Sequence, residues 1–514
     1  MKIKKLWISD YKNVKGIELE FNTELSTLLV GQNGLGKSNL LEAIALIFNG
    51  LRGLLSRGDA FLFAQRNFDF IITYERENNC YKASIIAGEF LFYEVIDEVF
   101  EEILFKDFVK NSKKYLPTQI LGYYSGENKR LRKITKEYEG VLVDSLKQNR
   151  GETEKVLRPF FFAENKHSQL LLITLVLYKQ HPTYKKYIDN LFENYLNIEL
   201  VKSFDITFKS PKWSFKNIGG VNKSAENLIA NINDEVEFPF WNIKGKLDLL
   251  LTRFYNYQQN LGIQPIVDDS LGYETLTFRN IDLANFQNDL YEHFESPLVF
   301  FSALEATMVV DIFESCSIKL KKNDLSIDID FEELSEGEQQ LLTVLSLVLF
   351  FGNSDCLMLF DEPDTHLNPN WQRDYIQLLN EFNLEDSNSH IFIATHSPLL
   401  VQSIKDKDNH KFDIILYCKD KDGNIDIENR PDIIENWRID QVLTSKYFEI
   451  ENTRPANTDY YLTLKQEIIR KGELDTDDIE KLNSLKDELG YLPLGETITE
   501  IESLAFLNSI SKNR

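Results

Sequence analysis

Gly31-Gln32-Asn33-Gly34-Leu35-Gly36-Lys37-Ser38 has the spacing G-x-x-x-x-G-K-[ST]. Glycines in such a run let backbone N–H groups turn inward around phosphate oxygens, and a following helix N-terminus adds a favourable dipole. The lysine reaches the β- and γ-phosphates, and the hydroxyl after it suits Mg2+. Much later, Leu357-Met358-Leu359-Phe360-Asp361-Glu362 sets two carboxylates behind four apolar residues. At the end of a buried strand, Asp361 would hold a Mg2+ shell and Glu362 would polarise an attacking water. Taken alone, the first motif could be a glycine turn and the second an ordinary core strand.

The neighbourhood of Asp361 removes the ordinary reading. Upstream lies Leu334-Ser335-Glu336-Gly337-Glu338-Gln339-Gln340, in which Ser335 and Glu338 form S-x-x-E, a capping box. A helix start with Ser and Gly offers N–H groups to an anion. Downstream, Pro363 to Pro369 reads as a tight polar loop, and Ala394-Thr395-His396-Ser397-Pro398 closes the next apolar run. A lone histidine at a strand end is usually structural; His396 stands out by its company.

These groups need a scaffold that brings them together. The sequence predicts two short strands over 2–21 with a turn at Lys12 and Asn13, a buried strand over 25–31, and a helix over 38–50 ending at Gly50. FDFIITYER and YKASIIAGEFLFYEV read as strands. TQILGYYSGENKRLRK reads as a strand running into a basic loop. CLMLFDE and HIFIATHS are apolar runs ending in polar residues, the pattern of central parallel strands with loops at their carboxyl ends. Between 137 and 297 the patterning weakens, with helical signal at 167–180 and 244–260. Beyond about 430 the chain reads as helical and acidic.

Composition bounds the remainder. Hydrophobic residues make up 43% and charged residues 27% of 514, which excludes a fully disordered or fibrous chain. With 57 Lys plus Arg against 81 Asp plus Glu, the net charge is −24, a poor basis for non-specific DNA binding. Cys80, Cys316, Cys356 and Cys418 lie far apart without a CxxC pair, which fits a reducing cytosol rather than a zinc site or disulfide framework. The N-terminus has no apolar signal region, and the apolar runs at 169–178 and 341–351 fall short of the about 18 residues a membrane span needs. A cytoplasmic protein with no membrane partner is expected.

The order of GQNGLGKS, LSEGEQQ, LMLFDEP, THLNP and ATHSP resembles the ABC class of ATPases, in the branch with RecF, SMC proteins and OLD nucleases. The resemblance covers about 1–136 and 298–420. It implies an α/β fold: an ABC-type P-loop ATPase head with a largely helical insertion and a helical C-terminal extension. The expected domains are an N-terminal lobe (1–136), an insertion (137–297), a C-terminal lobe with signature, Walker B, D-loop and H-loop (298–430), and a helical partner-binding region (431–514). In this class ATP with Mg2+ is sandwiched between two protomers. The resemblance therefore implies Asn33, Gly34, Gly36, Lys37, Ser38 and Asn39 around the nucleotide. It places Ser335, Gly337 and Glu338 across the interface, Ser38 and Asp361 at the metal, and Glu362 and His396 as catalytic residues. Lys12 occupies a turn where relatives often carry an arginine, and is expected near the phosphates. Gln65 and Gln119 are the two candidates for a Q-loop.

An SMC or RecN protein needs long coiled-coil heptads, which the insertion lacks. An OLD nuclease would add a metal-binding Toprim domain, and Asp420 and Asp422 in KDKDGN read better as a hairpin turn. GYYSGENKR (122–130), WRIDQVLTSKYFEIENTR (437–454) and LGYLPLGE (489–496) resemble the PtuA-type ATPases of Septu and retron anti-phage systems. That resemblance implies a bacterial defence oligomer holding an HNH nuclease of the PtuB kind. In the retron version a reverse transcriptase and its RNA–DNA hybrid are further partners. No nuclease motif is recognised in this chain itself. The alternative is a RecF-like DNA-repair ATPase without a toxic effector.

Two stretches oppose the acidic whole: Lys129, Arg130, Arg132, Lys133 and Lys136, and Lys202, Lys209, Lys212, Lys216 and Lys223 around Phe208, Trp213 and Phe215. Interleaved cations and aromatics suit single-stranded nucleic acid. Solvated lysines over core aromatics would give the same pattern. In the tail, Trp437, Tyr447 and Phe448 with Asp475, Asp477, Asp478 and Glu480 could dock a basic nuclease or simply pack on the core.

Overall fold

In the computed structural model, the residues described are 1–22, 26–57, 63, 68–126, 129–147, 158–211, 240–241, 243–268, 273–281, 283–384, 388–404, 412–419, 425–429, 434, 437–450, 459–489 and 501–507. The chain divides into two compact units, Met1–Ile439 and Asp440–Arg514.

The described residues of the first unit form three sheets. β1 (Lys2–Tyr11) and β2 (Val14–Glu20) form the expected opening hairpin, with Tyr11 opposite Val14 across the turn. β4 (Phe70–Arg76), β5 (Asn79–Ile86), β6 (Glu89–Ile96) and β7 (Val99–Glu102) continue it as an antiparallel sheet in the order β2-β1-β4-β5-β6-β7. Alternating burial along β4 marks one face turned to the core.

The central sheet has the order β18-β17-β3-β16-β15-β8-β9. Its strands are β3 (Ser26–Gly31), β8 (Gln119–Tyr124), β9 (Phe160–Ala163), β15 (Cys356–Asp361), β16 (His390–Ala394), β17 (Phe412–Lys419) and β18 (Ile425–Asn429). All but β18 run parallel to their neighbours. β3, β15 and β16 are buried throughout, as continuous apolar runs in a covered parallel sheet should be. β17 and β18 pair antiparallel, as the hairpin reading of KDKDGN requires; Asp420 and Asp422 lie outside the described residues.

α1 (Lys37–Arg57) follows the glycine run and passes through Gly50 instead of ending there. The glycine serves packing: a Cβ at Gly50 would lie 2.4 Å from the ring of Phe63. Lys37–Leu55 is long and apolar enough, by length and composition, to cross a membrane. Its Leu40, Leu41, Ile44, Ile47 and Phe48 are in the protein core. The basic stretch after β8, read as a loop, is helical: α2 (Lys129–Lys147) packs against α1 and β9.

The insertion carries α3 (His167–Leu177) and α4 (Lys246–Asn260) where helices are expected, together with α5 (Leu283–His293). It also carries strands that the weak patterning did not resolve. β10 (Ile198–Lys209), β11 (Ile266–Asp268) and β12 (Thr275–Ile281) pair with β13 (Phe313–Lys322) and β14 (Asp328–Asp330) in the antiparallel order β11-β12-β10-β13-β14. β9 joins the central sheet beside β8. The insertion is thus stitched to the head by strand pairing. α6 (Pro297–Val309) packs on α3 and α4, and α3 packs on α7 (Glu336–Phe351). A buried pair, Arg158 with Glu305, links the flank of β9 to α6, with the His167 ring 3.8 Å from the same carboxylate. Burial holds His167 down at about 3, so it is neutral there.

The second unit has its own small core. α8 (Asp459–Lys471) and α9 (Thr476–Leu489) meet through Tyr461, Leu464, Ile468, Leu482 and Leu485, with Ile501 and Ala505 from the last helical turns.

Candidate functional site

The register of the central sheet assembles the site. Tyr417 lies opposite Gly31, Ala394 opposite Leu29 and Asp361, and Asp361 opposite Tyr124. The loops after β3, β15, β16 and β8 therefore emerge together at the carboxyl edge, where open α/β sheets bind ligands. Gln119 stands at the other end of β8, with its amide donating to the Arg158 carbonyl at 2.9 Å, so it cannot serve as a Q-loop residue. Gln65 lies outside the described residues.

The phosphate loop needs its glycines. Gly31, Gly34 and Gly36 have φ of 138°, 83° and 108°, in the region where side chains are strained. Gly31 is also crowded: a Cβ would meet the Tyr417 carbonyl oxygen at 2.3 Å. Asn33 and Gly34 are exposed at the apex. Lys37 is buried and its ammonium donates to the Gly31 and Gln32 carbonyls. Burial lowers its pKa, while Glu362 and Asp361 oppose the shift. A desolvated cation held by loop carbonyls is poised to exchange them for phosphate oxygens.

Ser38 Oγ donates to Asp361 Oδ1 at 3.0 Å. Two hard oxygen donors side by side, one anionic, fit Mg2+. Asn39 donates to the Asn13 carboxamide, and Asn13 in turn donates to the Gly34 carbonyl at 3.0 Å. Lys12 pairs with Glu42 on α1 and stands over the Tyr11 ring, so its charge already has a protein partner. The residue of this turn that touches the loop is Asn13, which sequence reasoning missed beside the more conspicuous lysine.

Glu362 follows β15 with φ 52°, a strained value for a glutamate, and its N–H donates to the Ala394 carbonyl at 2.8 Å. Its Oε1 lies 3.1 Å from His396 Nδ1. The hydrogen bond between them is the main reason that the His396 pKa is raised and that of Glu362 lowered. Behind them, the Thr395 hydroxyl donates to the buried Asp364 carboxylate at 3.1 Å, and burial pushes Asp364 up to about 6.

The signature helix starts as its capping box predicts. Ser335 Oγ accepts from the Glu338 N–H, and the Glu338 carboxylate accepts from the Ser335 N–H. Lys322, at the end of β13, donates to Glu338. Ser335 is exposed, whereas Gly337 is buried. A Cβ at Gly337 would sit 2.6 Å from the His366 carbonyl oxygen, so this glycine is required for packing within one chain. Gln340 accepts from the His366 N–H at 3.0 Å, and His366 Nδ1 lies 3.2 Å from Glu336. The start of α7 and the loop from Pro363 to Pro369 are thus bound together within the chain.

A family model described as an AAA ATPase domain matches residues 1–401. The chain belongs to the AAA ATPase domain family. Within this ATPase, shorter stretches are similar to curated proteins. These are Septu protein PtuA of Bacillus mycoides (strain KBAB4), 23% identical over 181 residues, and protein ea59 of Escherichia phage lambda, 26% over 183 residues. Each alignment covers 33% of this chain, and 24% and 32% of the relative. The DNA replication and repair protein RecF of Clostridioides difficile (strain 630) is 44% identical over 50 residues, 10% of this chain and 13% of RecF. The chain thus aligns with a third or less of the length of these relatives. Among solved structures, an SMC head bound to the C-terminal winged-helix domain of ScpA covers 84% of the ATPase chain and 98% of its own, with 14% identity and a TM-score of 0.34. The SMC head domain of Thermotoga maritima covers 84% and 100%, with 12% identity and a TM-score of 0.32.

Part of each basic stretch is accounted for among the described residues. Arg132 pairs with Glu164, Lys202 with Asp328, and Lys209 with Asp311 and Glu314, while Phe208 is buried. Lys133 and Lys136 are exposed on α2; Lys212, Trp213, Phe215, Lys216 and Lys223 lie outside the described residues. In the tail, Tyr447 and Phe448 are buried and only Trp437 of the three aromatics is exposed. Asp475 and Asp478 cap each other's backbone at the start of α9 and share Lys471, and Asp477 pairs with Lys481.

Proposed function

We propose that this ATPase binds and hydrolyses Mg-ATP in the cytoplasm as part of a bacterial anti-phage defence system of the PtuA type, and that its nucleotide state regulates an associated HNH nuclease. The observation that carries the nucleotide chemistry is the meeting of Ser38 with Asp361 and of Glu362 with His396 at one sheet edge. Asn33, Gly34, Gly36 and Asn39 shape the phosphate loop, Lys37 binds the β- and γ-phosphates, and Ser38 and Asp361 would hold the metal. Mg2+ there would neutralise phosphate charge during transfer. Glu362 orients the attacking water, and His396 holds the Glu362 carboxylate ionised until it turns to the γ-phosphate.

Ser335, with Gly337 and Glu338 supporting its helix start, completes the site of a second copy of this chain. An exposed serine on a helix N-terminus offers N–H groups to a partner's γ-phosphate. Lys12 supports the loop indirectly, through Glu42. The match to Septu protein PtuA supports the defence reading and an HNH partner. A reverse transcriptase with its RNA–DNA hybrid would join in a retron setting. The 50-residue match to RecF favours a second reading, a DNA-repair ATPase without an effector. Co-purification with the products of neighbouring genes, followed by mass spectrometry and an ATPase assay, tests both. A co-purifying HNH protein is expected; DNA-repair partners alone would favour the second reading, and absent ATP turnover would sink both.

A further inference from the structure

Asn13 lies outside every nucleotide motif, yet its carboxamide is wedged into the phosphate loop. Nδ2 donates to the Gly34 carbonyl at 3.0 Å, and Oδ1 accepts from Asn39 Nδ2 at the head of α1. The third contact is steric: a Cβ on Gly36 would lie 2.6 Å from Asn13 Oδ1 and 2.9 Å from Nδ2. One side chain therefore touches the loop at its apex, at its last glycine and at the helix it feeds. The turn that delivers it is itself held. Lys12 adopts φ 56°, the strands close around it at Tyr11 and Val14, and Lys12 pairs with Glu42 on α1.

The chemistry of the contact favours Asn over its relatives. Gly34 and Gly36 both sit at positive φ, so this part of the loop has no repeating backbone ladder and depends on bonds from outside. The loop offers an acceptor, the Gly34 carbonyl, and a donor, the Asn39 amide. A carboxamide answers both at once; a carboxylate cannot donate and would bring negative charge towards phosphate. Small displacements of such a loop matter because its N–H groups must converge on one anion.

We propose that Asn13 is a positioning residue for nucleotide binding, which sets the curvature of the phosphate loop without touching the base. The proposal rests on the reading of Gly31–Ser38 as that loop. The competing account is a hairpin turn residue that stabilises the fold and nothing more.

The test uses the full chain with ATP and GTP, by calorimetry and steady-state kinetics, alongside melting temperatures. Asn13→Ala should raise Kd and KM about tenfold, the scale of one lost hydrogen bond with its displaced partner. The effect should fall on KM more than on kcat, with little change in melting temperature, and should weaken both nucleotides alike. Asn13→Asp should be worse, and more so at low salt. Asn39→Ala should match Asn13→Ala, and the double variant should add little, because the two act through one contact. Asn13→Ser provides a milder variant should Ala or Asp fold poorly, and its Kd should lie between those of the parent and Asn13→Ala. Unchanged Kd with a lowered melting temperature would leave Asn13 as a turn residue. A loss confined to ATP would assign it to base recognition instead. Lys37→Ala run in parallel separates the layers: undiminished affinity in that variant overturns the phosphate-loop reading itself.

Discussion

Ser38 and Asp361, 323 positions apart in the chain, meet through a 3.0 Å hydrogen bond at the edge of the central sheet. Lys37, beside that bond, is buried and donates to the Gly31 and Gln32 carbonyls. Lys37→Ala should raise the Kd for ATP by about a hundredfold or more, since a charge-assisted contact to two phosphates is lost. Calorimetry of the folded variant checks this, and unchanged affinity contradicts it.

Ser335 is exposed at its helix start and forms its capping box within the chain. Ser335→Arg should leave nucleotide binding by the phosphate loop largely intact and block ATP-dependent pairing of protomers. Mixed with Lys37→Ala protomers it should recover part of the ATPase activity, because a mixed dimer keeps one undamaged composite site. No recovery at any ratio, with both variants folded and associating, counts against sharing in trans.

Glu362 and His396 form a pair whose protonation is readable by NMR. The raised pKa means His396 should titrate above the ordinary 6.5. Its stabilising contribution is fully present below that value and is lost as pH rises through the raised midpoint. At the acid end the contribution of Glu362, whose pKa is lowered, is lost as pH falls through that lowered value. Glu362→Gln should bring the His396 midpoint back down; a midpoint that stays put would show that the pair does not persist in solution.

Gly337→Ala sets two effects against each other. Alanine improves a helix by about 1 kcal/mol relative to glycine. Here the added methyl meets the backbone oxygen of His366 at 2.6 Å, and overpacking of that kind costs about 1–3 kcal/mol. The clash should win, lowering the melting temperature and loosening the D-loop. A more stable variant would mean that the signature and D-loop separate easily.

The second unit begins at Asp440 and holds its own core, so it can be removed whole. Deleting 440–514 tests its part in partner binding. ATP affinity should be kept and the nuclease lost on pull-down in moderate salt. Full-strength capture by the truncated chain would move the dock to the stretch 137–297.

The sequence by itself determined the phosphate loop, the buried parallel strands with acids at their ends and the capping box at Ser335. Each is written in residues a few positions apart: glycines at positive φ, an apolar run, a serine three residues before a glutamate. Only the tertiary structure decided who stands across from whom. Gly50 looked like a helix stop, yet the helix runs on past it with the Phe63 ring against it, and Gly337 has a packing reason that no motif carries, the His366 carbonyl oxygen lying where a Cβ would press. β10 pairs with β13 across more than a hundred residues, a match no local pattern encodes because register follows the partner strand and the face it buries. Asn13 and Lys12 are the closest case. Both sit in one turn, and the left-handed backbone at Lys12 turned the amide, rather than the charge, onto the phosphate loop.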